Sequence, residues 1–259
     1  MKLRFLALLL LFAAFTATAQ VKKQPAKPKT TTTTKQKPKQ PLKKTVVKKP
    51  VAKAPVSKER RFEITTNYGV MTGVLSDSTP LHRDNFVKLV NEGFYDSLLF
   101  HRVIQGFMLQ GGDPNSKNAD INTMLGNGSA PGERVPAEFK PYLIHKKGAL
   151  AAARDNNPAK ASSNCQFYIV QGAKIDEEQL KGIESNVKFN NINFTYTPKQ
   201  KEMYKNIGGT PFLDQGYTVF GSITSGLDVI DKIAAVETRN KGMEDRPLKN
   251  VWFKIKMLN

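Results

Sequence analysis

The sequence predicts a β-dominated domain, a closed antiparallel barrel plugged by helices. Short β-prone runs punctuated by Gly, Asn and Pro recur between Phe62 and Lys256. Only two helical patterns interrupt them in the barrel rhythm, too few for the regular alternation of a parallel α/β sheet. The charge is also partitioned. The 259 residues carry 40 Lys+Arg against 22 Asp+Glu, a formal net charge of +18. Residues 1–58 hold fifteen of the basic groups and no acidic one, which leaves residues 59–259 with 25 basic and 22 acidic groups, a net of only +3. A nearly neutral body of 201 residues does not read as a nucleic-acid-binding domain, and it is long enough for one well-buried core or two small ones.

The chain opens as a secretory signal, residues 1–19. Lys2 and Arg4 precede the eleven-residue apolar run Phe5–Phe15, and Ala17-Thr18-Ala19 supplies small residues for cleavage before Gln20. The apolar run is shorter than the roughly 20 residues that span a bilayer. Export is therefore expected, with no integral membrane segment after cleavage; an uncleaved membrane anchor is the alternative. Residues 20–58 follow as a linker with thirteen Lys, six Pro and the run Thr30–Thr34. Such a segment buries too little apolar surface to offset its ordering entropy and is expected to be disordered. It reads either as a solvated spacer or as an adhesive for an anionic envelope surface. Without interleaved aromatic residues it offers no base-stacking platform, so no nucleic-acid partner is expected.

The body, residues 59–259, reads in order. Phe62–Leu75 alternates around Asn67-Tyr68-Gly69 as a hairpin. Thr79-Pro80 offers a helix N-cap and a first-turn proline, Phe86, Leu89 and Val90 fall on one helical face, and Gly93 stops the helix. Leu98–Leu109 is β-prone and turns at Gln110-Gly111-Gly112-Asp113; Asn115–Glu133 is a Gly- and Asn-rich loop. Gly148–Ala153, Gln166–Val170 and Thr218–Ile223 are strand candidates. Leu227, Ile230, Ile233 and Ala234 make a second amphipathic helix, and Val251, Phe253 and Ile255 alternate with Trp252, Lys254 and Lys256 in a closing strand. Residues 173–209 break the rhythm as an inserted helical excursion, with a helix start at Asp176–Leu180 and another at Thr197-Pro198. This excursion is either packing decoration or a platform for a partner or substrate. One Cys, Cys165, excludes an intramolecular disulfide and a multi-Cys zinc site, and three scattered His residues argue against a His-built metal site; no metal and no cofactor are expected.

The densest signal is Phe100-His101-Arg102-Val103-Ile104-Gln105-Gly106-Phe107-Met108-Leu109-Gln110-Gly111-Gly112-Asp113. It resembles the signature of the cyclophilin peptidyl-prolyl cis-trans isomerases. Gly148–Arg154, Cys165–Val170, Phe212-Leu213-Asp214 and Tyr217–Gly221 agree in the same order. The resemblance implies an eight-stranded antiparallel barrel closed by two helices, and catalysis of X–Pro rotation in proline-containing polypeptides; with the signal, the family's exported members imply a periplasm or cell envelope as the destination. It implies Arg102 as donor to the prolyl nitrogen, and Phe107, Met108, Tyr168 and Leu213 as an apolar proline slot. Gln110 and Gln166 match residues that bind substrate backbone or orient the Arg, and Ala153 and Arg154 match an edge that pairs with peptide main chain. Phe212 offers the substrate an apolar wall but stands where many eukaryotic members have Trp, which implies weaker cyclosporin sensitivity. Tyr217, Arg154 and Tyr168, all expected to contact substrate, replace a common His, Asn and Phe. His101 is read as structural because isomerisation transfers no obligatory proton, and Cys165 as a small buried hydrophobe. The alternative reading is a non-catalytic peptide-binding module or holdase using the same groove.

Overall fold

The computed structural model describes residues 59–239 and 245–258; the expected signal and linker, residues 1–58, lie outside them. The expected first hairpin is β1 (Arg61–Thr66) and β2 (Gly69–Leu75), with Phe62, Ile64, Met71 and Leu75 buried on one face. Its turn needs Gly69, whose φ is +134° and whose place a Cβ could take only 2.8 Å from Val229. The further strands are β3 (Leu98–Leu99), β4 (Arg102–Ile104), β5 (Met108–Gly111), β6 (Ala149–Ala152), β7 (Phe167–Val170), β8 (Val219–Ser225) and β9 (Trp252–Leu258).

The nine strands form one curled antiparallel sheet in the order β3-β9-β1-β2-β8-β6-β7-β5-β4. This corrects the expected closed eight-stranded barrel, because among the described residues no ladder joins the ends β3 and β4. The reason lies in the chain path. β3 and β4 are separated only by Phe100 and His101, and each pairs outward, β3 with β9 and β4 with β5. The corner itself is pinned elsewhere, by Phe100 N–H to Val251 O at 2.9 Å and Val103 N–H to Asp245 O at 2.9 Å. The chain thus crosses from one sheet edge to the other instead of folding back.

Two helices cover the curl. α1 (Pro80–Asn91) buries Phe86, Leu89 and Val90 as its spacing predicts, and also His82. The expected Thr79 cap is not made: the α1 amides of Leu81 and His82 donate instead to Glu138, at 3.2 and 3.0 Å. The carboxylate meets the positive end of the helix dipole. α4 (Leu227–Ala234) buries Val229, Ile230, Ile233 and Ala234; Leu227, expected on that face, is exposed at the first turn. The main core joins both helices to Phe62, Ile64, Leu109, Leu150, Phe167 and Phe253. A second apolar cluster, with Met108, Ala151, Tyr168 and Val219, lies on the opposite face of the sheet, because successive strand residues alternate sides.

The excursion is helical as expected. α2 (Glu177–Val187) and α3 (Pro198–Asn206) each begin with a capping box, Asp176 with Gln179 and Thr197 with Gln200. Between them they build a small core of Leu180, Val187, Phe194, Tyr196 and Tyr204 against Ile144. No helix of the described residues is long and apolar enough to cross a membrane.

Candidate active site

The site begins as a row across four strands. Arg102 on β4 stands opposite Gln110 on β5, Gln110 opposite Tyr168 on β7, and Tyr168 opposite Ala151 on β6. Neighbouring strands lie about 4.8 Å apart, so residues remote in sequence become lateral neighbours on one face. Around this row is a small cavity of about 100 Å³ lined by Arg102, Phe107, Met108, Gln110, Ala153, Arg154, Tyr168, Leu213 and Tyr217. Nine of the eleven residues expected at the site are thereby brought together; Gln166 and Phe212 are not on its wall.

Local structure explains each placement. Phe107 and Met108 would face opposite sides of a straight strand. The turn Ile104–Phe107, closed by Phe107 N–H to Ile104 O at 3.0 Å with Gly106 at φ +76°, puts Phe107 outside the strand and lets both reach the slot. Met108 is buried and forms the floor. Leu213 enters from the 3₁₀ turn Pro211–Leu213. The adjacent Phe212 points outward, is 54% exposed, and packs on the Phe107 ring with centroids 5.7 Å apart.

The two slot arginines differ in their commitments. Arg154 donates Nε to Gly216 O and Nη1 to Asp155 O, both at 2.9 Å, and lies 4.4 Å over the Tyr217 ring centre. Arg102 is half-exposed and has an ion-pair partner in Asp245, Nε to Oδ2 at 3.5 Å. Among the described residues its Nη groups make no hydrogen bond. The Ala153 amide, expected at a peptide-pairing edge, donates to Gln166 O at 3.0 Å, and its carbonyl accepts from Ser163 N–H at 2.8 Å. Gln166 sits behind the wall: its Nε2 donates to Gly126 O and Gly128 O, and its Oε1 accepts from Gln110 Nε2 at 3.0 Å. It therefore orients Gln110 rather than Arg102. The Gly126–Gly128 loop is held in turn by the buried Asp113 carboxylate, which accepts from both of those amides.

A network missing from the sequence reading backs the slot. Asp214, fully buried, accepts from His145 N–H and Nδ1 through Oδ1, at 2.8 and 2.7 Å, and from the Tyr196 and Tyr204 hydroxyls through Oδ2, at 2.7 and 2.6 Å. Four donors match a carboxylate, which only accepts. On the other side of the ring His145 Nε2 lies 3.0 Å from the Tyr168 hydroxyl, so the imidazole joins Asp214 to Tyr168. Burial, then the Asp214 charge, push the Tyr196 and Tyr204 phenols up; burial, then Tyr217 and Asp214, push Tyr168 up. All three remain protonated donors. Two residues of the excursion thus fix the carboxylate next to Leu213 and, through His145, the slot residue Tyr168. Tyr196 and Tyr204, aromatic in an otherwise polar stretch, were the available sequence signal.

Other reactive-looking groups have structural settings. Ser162, His82 and Glu138 line up as a nucleophile, base and acid would, with His82 Nε2 2.9 Å from Ser162 Oγ and Nδ1 2.7 Å from Glu138 Oε2. Ser162 is buried beyond a substrate's reach, and Glu138 serves as the α1 cap. His101 is buried, its ring nitrogens have no hydrogen-bond partner among the described residues, and burial lowers it to about 4. Cys165 is buried and burial raises its thiol. Among the described residues no group of three His, Cys, Asp or Glu is placed to hold a metal ion.

Residues 61–257 match the family model of the cyclophilin type peptidyl-prolyl cis-trans isomerase/CLD. A Staphylococcus saprophyticus protein provisionally named a peptidyl-prolyl cis-trans isomerase is 34% identical over 187 residues, covering 72% of this chain and 85% of its own. A Streptococcus pyogenes protein provisionally named a bifunctional phosphatase/peptidyl-prolyl cis-trans isomerase is 38% identical over 191 residues; the match takes in 73% of this chain but only 36% of that longer protein. The crystal structure of a Cryptosporidium parvum cyclophilin type isomerase superposes with a TM-score of 0.55 at 22% identity, covering 78% of this chain and 98% of that one, which supports the fold. The Arg102–Tyr168 row, the slot beside it and these likenesses converge: the chain belongs to the cyclophilin-type peptidyl-prolyl cis-trans isomerases.

Proposed function

We propose that the chain isomerises X–Pro bonds by seating the prolyl ring among Phe107, Met108, Tyr168, Leu213 and Tyr217 while Arg102 donates to the prolyl nitrogen. The planar amide resists rotation by about 18–20 kcal/mol because resonance gives its C–N bond double-bond character. The two prolyl isomers differ by only about 0.5–1 kcal/mol, so the catalyst has only the crest to lower. As the bond twists, conjugation is lost and the nitrogen lone pair becomes an acceptor. A donor held at that atom binds the twisted amide better than the planar one. The slot, about 100 Å³, suits one small ring; drug-sized ligands take sites of roughly 300 Å³ or more.

The observation that carries this reading is the contrast between the two arginines. Arg154 is tied into the wall, whereas Arg102 keeps its Nη groups without a hydrogen bond among the described residues. Asp245, paired at Nε, directs the guanidinium plane, and Gln110, held by Gln166, lies one strand away to bind substrate backbone. A pure peptide-binding module or holdase has no use for an arginine that offers open Nη donors at an apolar slot.

The test is a protease-coupled assay on a proline tetrapeptide. Arg102→Ala is expected to lose about a hundredfold in kcat/KM, the scale of one preorganised donor, with far-UV circular dichroism unchanged. A variant as fast as the parent would remove Arg102 from the mechanism. We also place the enzyme outside the cytoplasm, on the strength of Lys2, Arg4, the run Phe5–Phe15 and Ala17-Thr18-Ala19. Its clients are then exported polypeptides. The thirteen lysines of residues 20–58 would favour contact with an anionic envelope surface.

A further inference from the structure

The loop between α2 and α3 carries Phe189 and Ile192, which are 90% and 82% exposed, the two barest large apolar side chains among the described residues. The loop is held in place. Its backbone is turned by Asn190 N–H to Val187 O at 2.9 Å and Phe194 N–H to Asn191 O at 2.9 Å. Asn190 Oδ1 accepts from Lys160 Nζ at 2.6 Å, and Asn191 Nδ2 donates to Gln215 Oε1 at 3.1 Å. These bonds tie it to the segments that follow Arg154 and Leu213. Asn190 also lies against Gly216, where an added Cβ would meet its Nδ2 at 3.7 Å, and Gly216 is the residue whose carbonyl holds Arg154 at the slot. The loop that carries the bare pair therefore adjoins the rim of the proline slot, on a fixed support.

We infer that Phe189 and Ile192 form an accessory contact for apolar side chains of an extended, unfolded polypeptide whose proline occupies the slot; the inference rests on the isomerase reading. Three features select that occupant. The site continues the slot rim, so one chain reaches both. The loop Phe189-Asn190-Asn191-Ile192-Asn193 is uncharged, matching apolar side chains and backbone amides rather than an ionic surface. Two side chains offer roughly 300–400 Å², well below the 600 Å² or more per partner of a stable dimer. A contact this weak matters only to a chain already held nearby, where effective concentrations reach the millimolar range.

The experiment compares the full chain with its Phe189→Ser/Ile192→Ser variant on two substrates, a proline tetrapeptide and a proline-limited refolding protein such as reduced, carboxymethylated ribonuclease T1. The variant is expected to keep tetrapeptide kcat/KM within about twofold and to lose about tenfold in kcat/KM for the refolding chain, mainly through KM. An unchanged refolding rate overturns the inference. So does a parallel fall on both substrates, which would mean that the loop only shapes the slot. Sedimentation velocity covers the remaining occupant: a parent dimer abolished in the variant assigns the pair to a second copy and overturns it too. Arg102→Ala run alongside separates the two levels, because loss of neither activity there refutes the isomerase reading itself.

Discussion

Replacing Asp214 by Asn probes the link between the excursion and the slot with almost no change in shape. The carboxylate accepts four hydrogen bonds in a site without water contact, from His145 N–H and Nδ1 and from Tyr196 and Tyr204. Asparagine keeps the oxygen facing His145 and turns an NH₂ toward the two phenols. The Tyr196 hydroxyl has an alternative acceptor in Pro211 O at 3.1 Å and can accept from the new amide, whereas the bond of Tyr204 to Asp214 is the shorter, at 2.6 Å. Bonds to a charged acceptor contribute about 1.5–3 kcal/mol each and neutral ones about 1, so four weakened bonds cost roughly 4 kcal/mol. Relief from burying an ionised group returns part of that. The net expected loss is about 2–4 kcal/mol, which for a domain of this size lowers Tm by roughly 5–15 °C. Thermal unfolding followed by circular dichroism reads the shift. A double-mutant cycle with Tyr204→Phe isolates the pair and is expected to show coupling of about 1 kcal/mol or more. A Tm within about 2 °C of the parent, or a coupling near zero, would show that the carboxylate does not organise these groups.

Acid should destabilise the fold through His101. The unfolded chain takes up this proton near 6.5, the buried ring only at about 4, so stability falls as pH drops from 6.5 to 4 and levels off below, by up to about 3 kcal/mol. Urea midpoints across that range are expected to slope less in His101→Phe, while His82, which burial also lowers against the opposing pull of Glu138, keeps its share; an identical slope would discharge His101. Glu138→Gln should cost about 2 kcal/mol, because it weakens the α1 cap and the His82 bond together. Faster hydrogen exchange at the Leu81 and His82 amides would locate the loss, and unchanged exchange would deny Glu138 the cap.

What the sequence made legible follows the range of the interaction concerned. Periodicity exposed the buried faces of β1, β2, α1 and β9, because alternation and helical spacing are set by neighbours along the chain. The excursion helices were legible for the same reason: both capping boxes span only four residues. The α1 cap was not. Thr79-Pro80 has the local signature, but the acceptor that wins comes from Glu138, beyond any local pattern. Phe212, expected as an apolar wall for substrate, lies outside the cavity that Leu213 enters, because consecutive residues of a 3₁₀ turn point in different directions. Phe107 and Met108 raise the same geometric objection and escape it, because Gly106 lets the chain turn between them and the preceding strand. Asp245 beside Arg102 had no signal at all, since nothing in its own neighbourhood marks it as a partner for β4.

The excursion belongs to the body energetically even though it looks like an addition to it. Its helices have eleven and nine residues, shorter than the roughly 12–15 at which isolated helices become marginally stable, so tertiary packing must hold them. That packing is supplied by Leu180, Val187, Phe194, Tyr196 and Tyr204 closing on Ile144, a residue of the body. The same two tyrosines satisfy Asp214, one residue beyond Leu213, and α2 packs on the turn that carries Leu213. The dependence therefore runs both ways. Without the excursion the body would hold a carboxylate with two donors missing, and the His145–Tyr168 pair would rest on that half-satisfied group alone. Without the body the helices would have no core to close on. A segment tied in this way can present Phe189 and Ile192 at a constant position beside the slot, as a freely hinged appendage could not.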